Sequence, residues 1–229
     1  MKNLIKLAVP TIAAVAATVS MTAQSTTVVF TDWTTNEGIS GNYIVSVTNN
    51  NDGTFSWNAT VDPWNAEILG LGIDFGNNNV IEADIDIDNV VTSPNPSGIV
   101  TVAATDTSVF NLGGGNNLNG LGFDLDANGG DGEWEVIFQL GSSGFESLQT
   151  FSWTTSDFGG LDVTDITLAG VRSQVLCDEG DLLPGDQSSC QGSDKSYSST
   201  PNAVPEPSSL ALLALGLAGV GFSRRMARK

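Results

Sequence analysis

Between Asp124 and Glu135 four oxygen-bearing side chains recur at a spacing that suits a hard divalent cation. Asp124, Asp126, Asn128 and Glu135, with Gly129 at the sharp turn, satisfy the pattern D-x-[DN]-x-[DN]-G-x5-E in full. Calcium takes roughly six to eight oxygen ligands, and a loop of this kind offers them around its glycine. Two features point the other way. Asp131 fills the eighth position, which is normally apolar, and the flanking residues read as strands where that loop type has helices. Asn128-Gly129 and Asp131-Gly132 are also turn formers, so an ordinary hairpin loop is the competing reading.

Other chemistry is narrowed by what the chain lacks. Histidine is absent, which removes Ser-His-Asp and Cys-His catalysis and imidazole-based zinc or copper sites. Glycoside hydrolysis needs only two suitably spaced carboxylates, but nothing in the sequence marks out a pair. Trp33, Trp57, Trp64, Trp134 and Trp153 could stack on sugar rings if exposed. Of these, Trp57, Trp134 and Trp153 fall in alternating runs that suggest a core, and Trp64 follows Asp62-Pro63 as a loop residue would. Glu82, Asp84, Asp86 and Asp88 alternate with Ala83, Ile85 and Ile87. On a strand that run makes a column of carboxylates, either a cation site or a guarded sheet edge, and the edge is the expectation.

Cys177 and Cys190 are the chain's two cysteines. In an exported chain they are expected to form one disulfide that pins the acidic loop between them.

The whole chain carries 26 acids against 8 Lys and Arg, a net charge of −18. All but one of the acids and only Arg172 and Lys195 of the cations lie between residues 24 and 203, which leaves that segment at −23. Such a surface repels nucleic acid and anionic membrane, so no nucleic-acid partner is expected.

Between Gln24 and Tyr197 no long helical period occurs. Short β-branched and aromatic runs alternate with Gly/Asn/Asp clusters, the pattern of an all-β sandwich. Tyr43–Val47 leads through Asp52-Gly53 into Thr54–Val61, a hairpin whose second strand turns Phe55, Trp57, Ala59 and Val61 to one face. In the same way Glu133–Leu140 groups Trp134 with Val136, Phe138 and Leu140. Gly113-Gly-Gly-Asn-Asn117 lacks the Lys-Ser/Thr of a phosphate loop and reads as a flexible connection. Thr54-Phe-Ser-Trp57 is echoed by Thr150-Phe-Ser-Trp153, as though similar strands met similar neighbours in two sheets.

Both ends of the chain look like addresses. Lys2 and Lys6 precede an apolar Leu7–Val19 run and small residues up to Ala23, as in a secretory signal peptide over 1–23. At the other end Pro205-Glu206-Pro207 is followed by an apolar run to Phe222 and then by Arg224, Arg225, Arg228 and Lys229. As a helix, Ser208–Phe222 would reach about 22 Å, short of the roughly 30 Å hydrocarbon core. The trailing cations place the C-terminus on the cytoplasmic side and the preceding domain outside.

This three-part tail resembles the PEP-CTERM sorting signal of Gram-negative exported proteins, with Pro205, Glu206 and Pro207 as the signature. The resemblance implies recognition and cleavage by an exosortase-type membrane enzyme and delivery to the cell surface or exopolysaccharide matrix. It also implies transient contact with the inner membrane through the tail, unless the tail stays on as an anchor. A looser likeness to PEP-CTERM ectodomains lies in Gly170–Gln174 and Gly192–Lys195, which read as a closing strand split by the cysteine-bearing insertion.

The expected organisation is a signal peptide over 1–23, a β-sandwich or jelly-roll-like ectodomain over 24–197, a linker over 198–204 and the tag over 205–229 with a short apolar helix. The expected function is that of an exported, non-enzymatic surface or matrix protein without a fixed cofactor. The alternative is a carbohydrate-binding module or glycan-active enzyme on the same scaffold.

Overall fold

Thr54–Val61 buries every second residue, as its alternation demands, and it sits near the middle of one of two packed sheets. The computed structural model describes residues 25–35, 37–80, 85–118, 132–142, 144–177, 190, 192–199 and 201–204. The leader, the Pro205-Glu206-Pro207 tripeptide, the apolar tail, Glu82, Asp84, and Asp124, Asp126 and Asn128 therefore lie outside the described residues.

Twelve strands appear in chain order: β1 (Thr26–Phe30), β2 (Thr34–Thr35), β3 (Tyr43–Asn49), β4 (Thr54–Val61), β5 (Glu67–Asp74), β6 (Asp88–Pro94), β7 (Val100–Thr107), β8 (Trp134–Leu140), β9 (Leu148–Ser156), β10 (Leu168–Leu176), β11 (Gly192–Ser198) and β12 (Asn202–Val204). The first sheet runs β12-β1-β3-β4-β9-β6 and the second β2-β11-β10-β5-β8-β7. Neighbouring strands pair antiparallel in both. The chain is thus nearly all β, two facing sheets with one core between them.

That core is aromatic. Trp57 and Trp153 are register partners on β4 and β9, with rings stacked 5.9 Å apart and only 6° from parallel. Phe138 of the opposite sheet meets both edge-on. The repeated Thr-Phe-Ser-Trp motif therefore marks two adjacent strands of one sheet, which corrects the expectation of similar environments in two sheets. The antiparallel register sets the two tryptophans opposite each other, while Phe55 faces Thr155 and Phe151 faces Ala59, and paired aromatics contribute about 0.5–1.5 kcal/mol beyond their buried area.

A second, smaller apolar cluster lies on the outer face of the second sheet and holds Phe110, Leu118, Trp134, Ile137 and Leu168. Strict alternation grouped Trp134 with Val136, Phe138 and Leu140. The structure keeps those three between the sheets but puts Trp134 in the outer cluster. Glycine explains the shift. A Cβ at Gly72 would lie 2.8 Å from Trp134 Cε3, and one at Gly170 only 2.5 Å from Trp134 Cη2, so the indole rests on bare backbone. The residues expected to be a flexible connection cover this cluster as a built turn. Asn111 bridges to Asn117, Leu112 N–H donates to the Asn116 carbonyl at 2.8 Å, and Gly113, Gly114 and Gly115 take the positive φ that the turn needs.

Candidate functional site

The described strands next to the two expected address signals, β1 and β12, are neighbours in one sheet. After β11 ends at Ser198 in the second sheet, the chain crosses to the first sheet and pairs as β12 along β1. Thr27 faces Val204, Val28 faces Ala203 and Val29 faces Asn202. Much of the expected linker, 198–204, is therefore strand. The reason is that β1 would otherwise be an uncovered sheet edge with unpaired amides and carbonyls. Thr26 begins the domain just after the expected leader, and Val204 ends it just before Pro205, on neighbouring strands.

At the opposite end of β3 from the Thr26–Val204 corner, a polar cluster ties the sheets together from inside. Asp194 on β11 is fully buried. Its carboxylate accepts from the Tyr43 hydroxyl (2.8 Å), Ser196 Oγ (2.7 Å), Thr35 Oγ1 (2.6 Å) and the Gly41 amide (3.2 Å). Ser173 Oγ on β10 completes the contact to the Tyr43 oxygen. Burial, and then the Asp194 charge, push the Tyr43 hydroxyl well above its ordinary range, so it stays protonated and donating. Tyr43 belongs to the first sheet and Asp194 to the second, so this is a cross-sheet fastening. With both groups out of reach of solvent, its chemistry is structural. No pattern in the chain pointed to it, since Asp194 is one acid among many and no spacing links it to Tyr43.

Two further carboxylates are also committed inside. Glu67 on β5 accepts from the amides of Glu146 (3.0 Å) and Leu148 (2.9 Å) and from Gln174 Nε2 (3.1 Å), which fastens the 141–147 turn. Burial raises its pKa, and the amide bonds hold that rise back. Glu135, the residue expected to close a calcium loop, lies buried on β8 with its carboxylate accepting from the Phe75 amide. Burial and that bond hold Glu135 away from the bidentate closure that such a loop uses. Thermal unfolding with and without Ca²⁺, in the native chain and in Asp126→Ala, is therefore expected to show shifts of equal size. That result assigns the effect to screening of the acidic surface, whereas a shift lost in Asp126→Ala places the ion in the loop.

Of the acidic column, Asp86 and Asp88 are exposed, and Ile85 and Ile87 pack partly against the core. Among the described residues of the run, strand pairing begins at Asp88, and 85–87 precede the strand. β6 is nevertheless an edge strand of the first sheet, the position expected for charged guards. Cys177 and Cys190 are bonded and close the excursion between β10 and β11, whose register sets Arg172 opposite Lys195.

A shallow groove of about 400 Å³ opens beside the fastening, lined among others by Thr31, Trp33, Ser40, Asn42 and Asp62. Trp33 is half-buried, its indole N–H donating to the Tyr43 carbonyl at 2.8 Å and its ring edge-on to Tyr43. Trp64, expected in a loop, is in one, yet it is buried against Phe145. No aromatic side chain is classed as exposed among the described residues, so the chain presents no flat stacking platform there. Among the described residues Asp62 is the one acid lining the groove, whereas glycoside hydrolysis needs two facing carboxylates.

Fold and termini together describe a β-sandwich ectodomain with a sorting signal at its C-terminal corner. Residues 203–225 match the family model of the PEP-CTERM protein-sorting motif, which the Pro205-Glu206-Pro207 signature anticipated. The motif marks an exported protein whose tail is processed by an exosortase. Neither the curated proteins nor the solved structures contain a match to this chain. Among the described residues no helix is long and apolar enough to cross a membrane.

Proposed function

We propose that the protein is a non-enzymatic component of the cell surface or extracellular matrix, retained among exopolysaccharide after its tail is processed. The observation that carries this reading is the sorting motif at 203–225, which follows the sandwich without an intervening domain. The domain suits such a place. Its buried carboxylates serve structure, its strongly acidic composition favours solubility outside the cell, and a disulfide tolerates oxidising surroundings. Fractionation of the native host tests the proposal. The full chain is expected with the surface or matrix material, and a chain ending at Val204 in the medium. Equal distribution of the two would overturn it.

A second reading, a carbohydrate-binding module, is favoured by one feature, the groove with Trp33, Asn42 and Asp62 on its walls. An indole beside amide and carboxylate groups is suited to hold a sugar ring. In the same fractionation, release of a Trp33→Ala chain that keeps its tail would support this reading.

A further inference from the structure

We infer that β12 is a latch on the sorting signal: the tag reaches its processing enzyme only when β12 has peeled from β1. This rests on the sorting reading above. The matched motif begins at residue 203, and Ala203 and Val204 are the last two residues of β12. Those residues cannot lie in the edge of a sheet and in an enzyme's cleft at the same time. An extended peptide is held through its own backbone amides and carbonyls, and in β12 half of these are already spent on β1.

Reach leads to the same conclusion. With β12 docked, Pro205 to Pro207 stay within about 10 Å of the sheet edge, at roughly 3.3 Å per residue. The apolar run from Leu210 then starts no more than about 20 Å from Val204, so the whole sandwich is pressed against the membrane surface. Peeling back to Ser198 frees six more residues and about 20 Å of chain. That is enough to carry the tripeptide away from the domain. The latch is built to open, since among the described residues β12 holds on by three register positions at a sheet edge, whereas β3 and β4 share seven.

A staple tests the latch. Val29 and Asn202 are register partners, so Val29→Cys with Asn202→Cys ties β12 to β1 by a disulfide when the exported protein is oxidised. Ser46→Cys with Asn58→Cys ties β3 to β4 and serves as the reference staple, because it leaves β12 free. All chains are expressed in the native host, and mass spectrometry reads whether Arg224–Lys229 is still attached. The expected result is loss of most processing in the β1–β12 staple, native processing in the reference staple, and recovery when six Gly/Ser residues followed by a second Ala-Val pair are inserted between Val204 and Pro205 of the stapled chain, so that a complete motif starts clear of the staple. Processing of the β1–β12 staple at the reference level would overturn the latch. So would a block that the insertion fails to relieve, since the staple would then act on folding and not on reach. If the native chain itself is never processed, the sorting reading falls, and the latch with it.

Discussion

Asp194→Ala is expected to destabilise the folded domain by about 3–5 kcal/mol, the range found when one partner of a buried charged network is deleted. Four donors converge on this carboxylate: the hydroxyls of Thr35, Tyr43 and Ser196 and the Gly41 amide. Alanine leaves all four pointing into a space that is closed to water. Denaturant titration should show a lower midpoint with an unchanged slope, because the same surface is exposed on unfolding. At roughly 2–4 °C per kcal/mol for a domain of this size, the thermal midpoint should fall by about 6–20 °C. Tyr43→Phe removes one donor and leaves three, so its cost should be smaller, about 1–3 kcal/mol. A loss below about 1 kcal/mol in Asp194→Ala would mean that the cluster does not fasten the sheets.

Replacing Pro205, Glu206 and Pro207 together with alanine should leave export intact and abolish tail processing. Secretion in this account rests on the expected leader, while the tripeptide is the signature of the matched motif. The expected product in the host is an exported chain that is still full length at its C-terminus. The sandwich should be untouched, since all three positions follow the last strand. Unfolding curves of the variant and native ectodomains should therefore superimpose. Normal processing of the triple variant would show that recognition rests on the apolar run and the basic cluster alone.

The sandwich was legible where one face of a strand is buried and the other is wet. In β4 the alternation of Phe55, Trp57, Ala59 and Val61 with polar residues gave strand, face and partner together, and Asp52-Gly53 marked the turn. The reading failed where both faces are covered. β5 is buried at every position, and its glycines carry an aromatic layer that a two-residue period cannot reveal. The same blind spot misplaced Trp134. The Tyr43–Asp194 fastening left no trace in the sequence because its members are 151 residues apart and of common types. By contrast, the sorting signal was readable without any structure. Its enzyme reads order and composition along the chain, and these survive in the letters. What the letters did not show is that the residues before the tripeptide are paired to β1.

The central claim is that this sandwich is exported and its tail processed, and the C-terminus of the mature protein tests it most directly. Mass spectrometry of protein purified from its own host should find chains that have lost Arg224–Lys229 together with the apolar run. Mature protein that retains Arg224–Lys229 would contradict the account and make the tail an ordinary anchor.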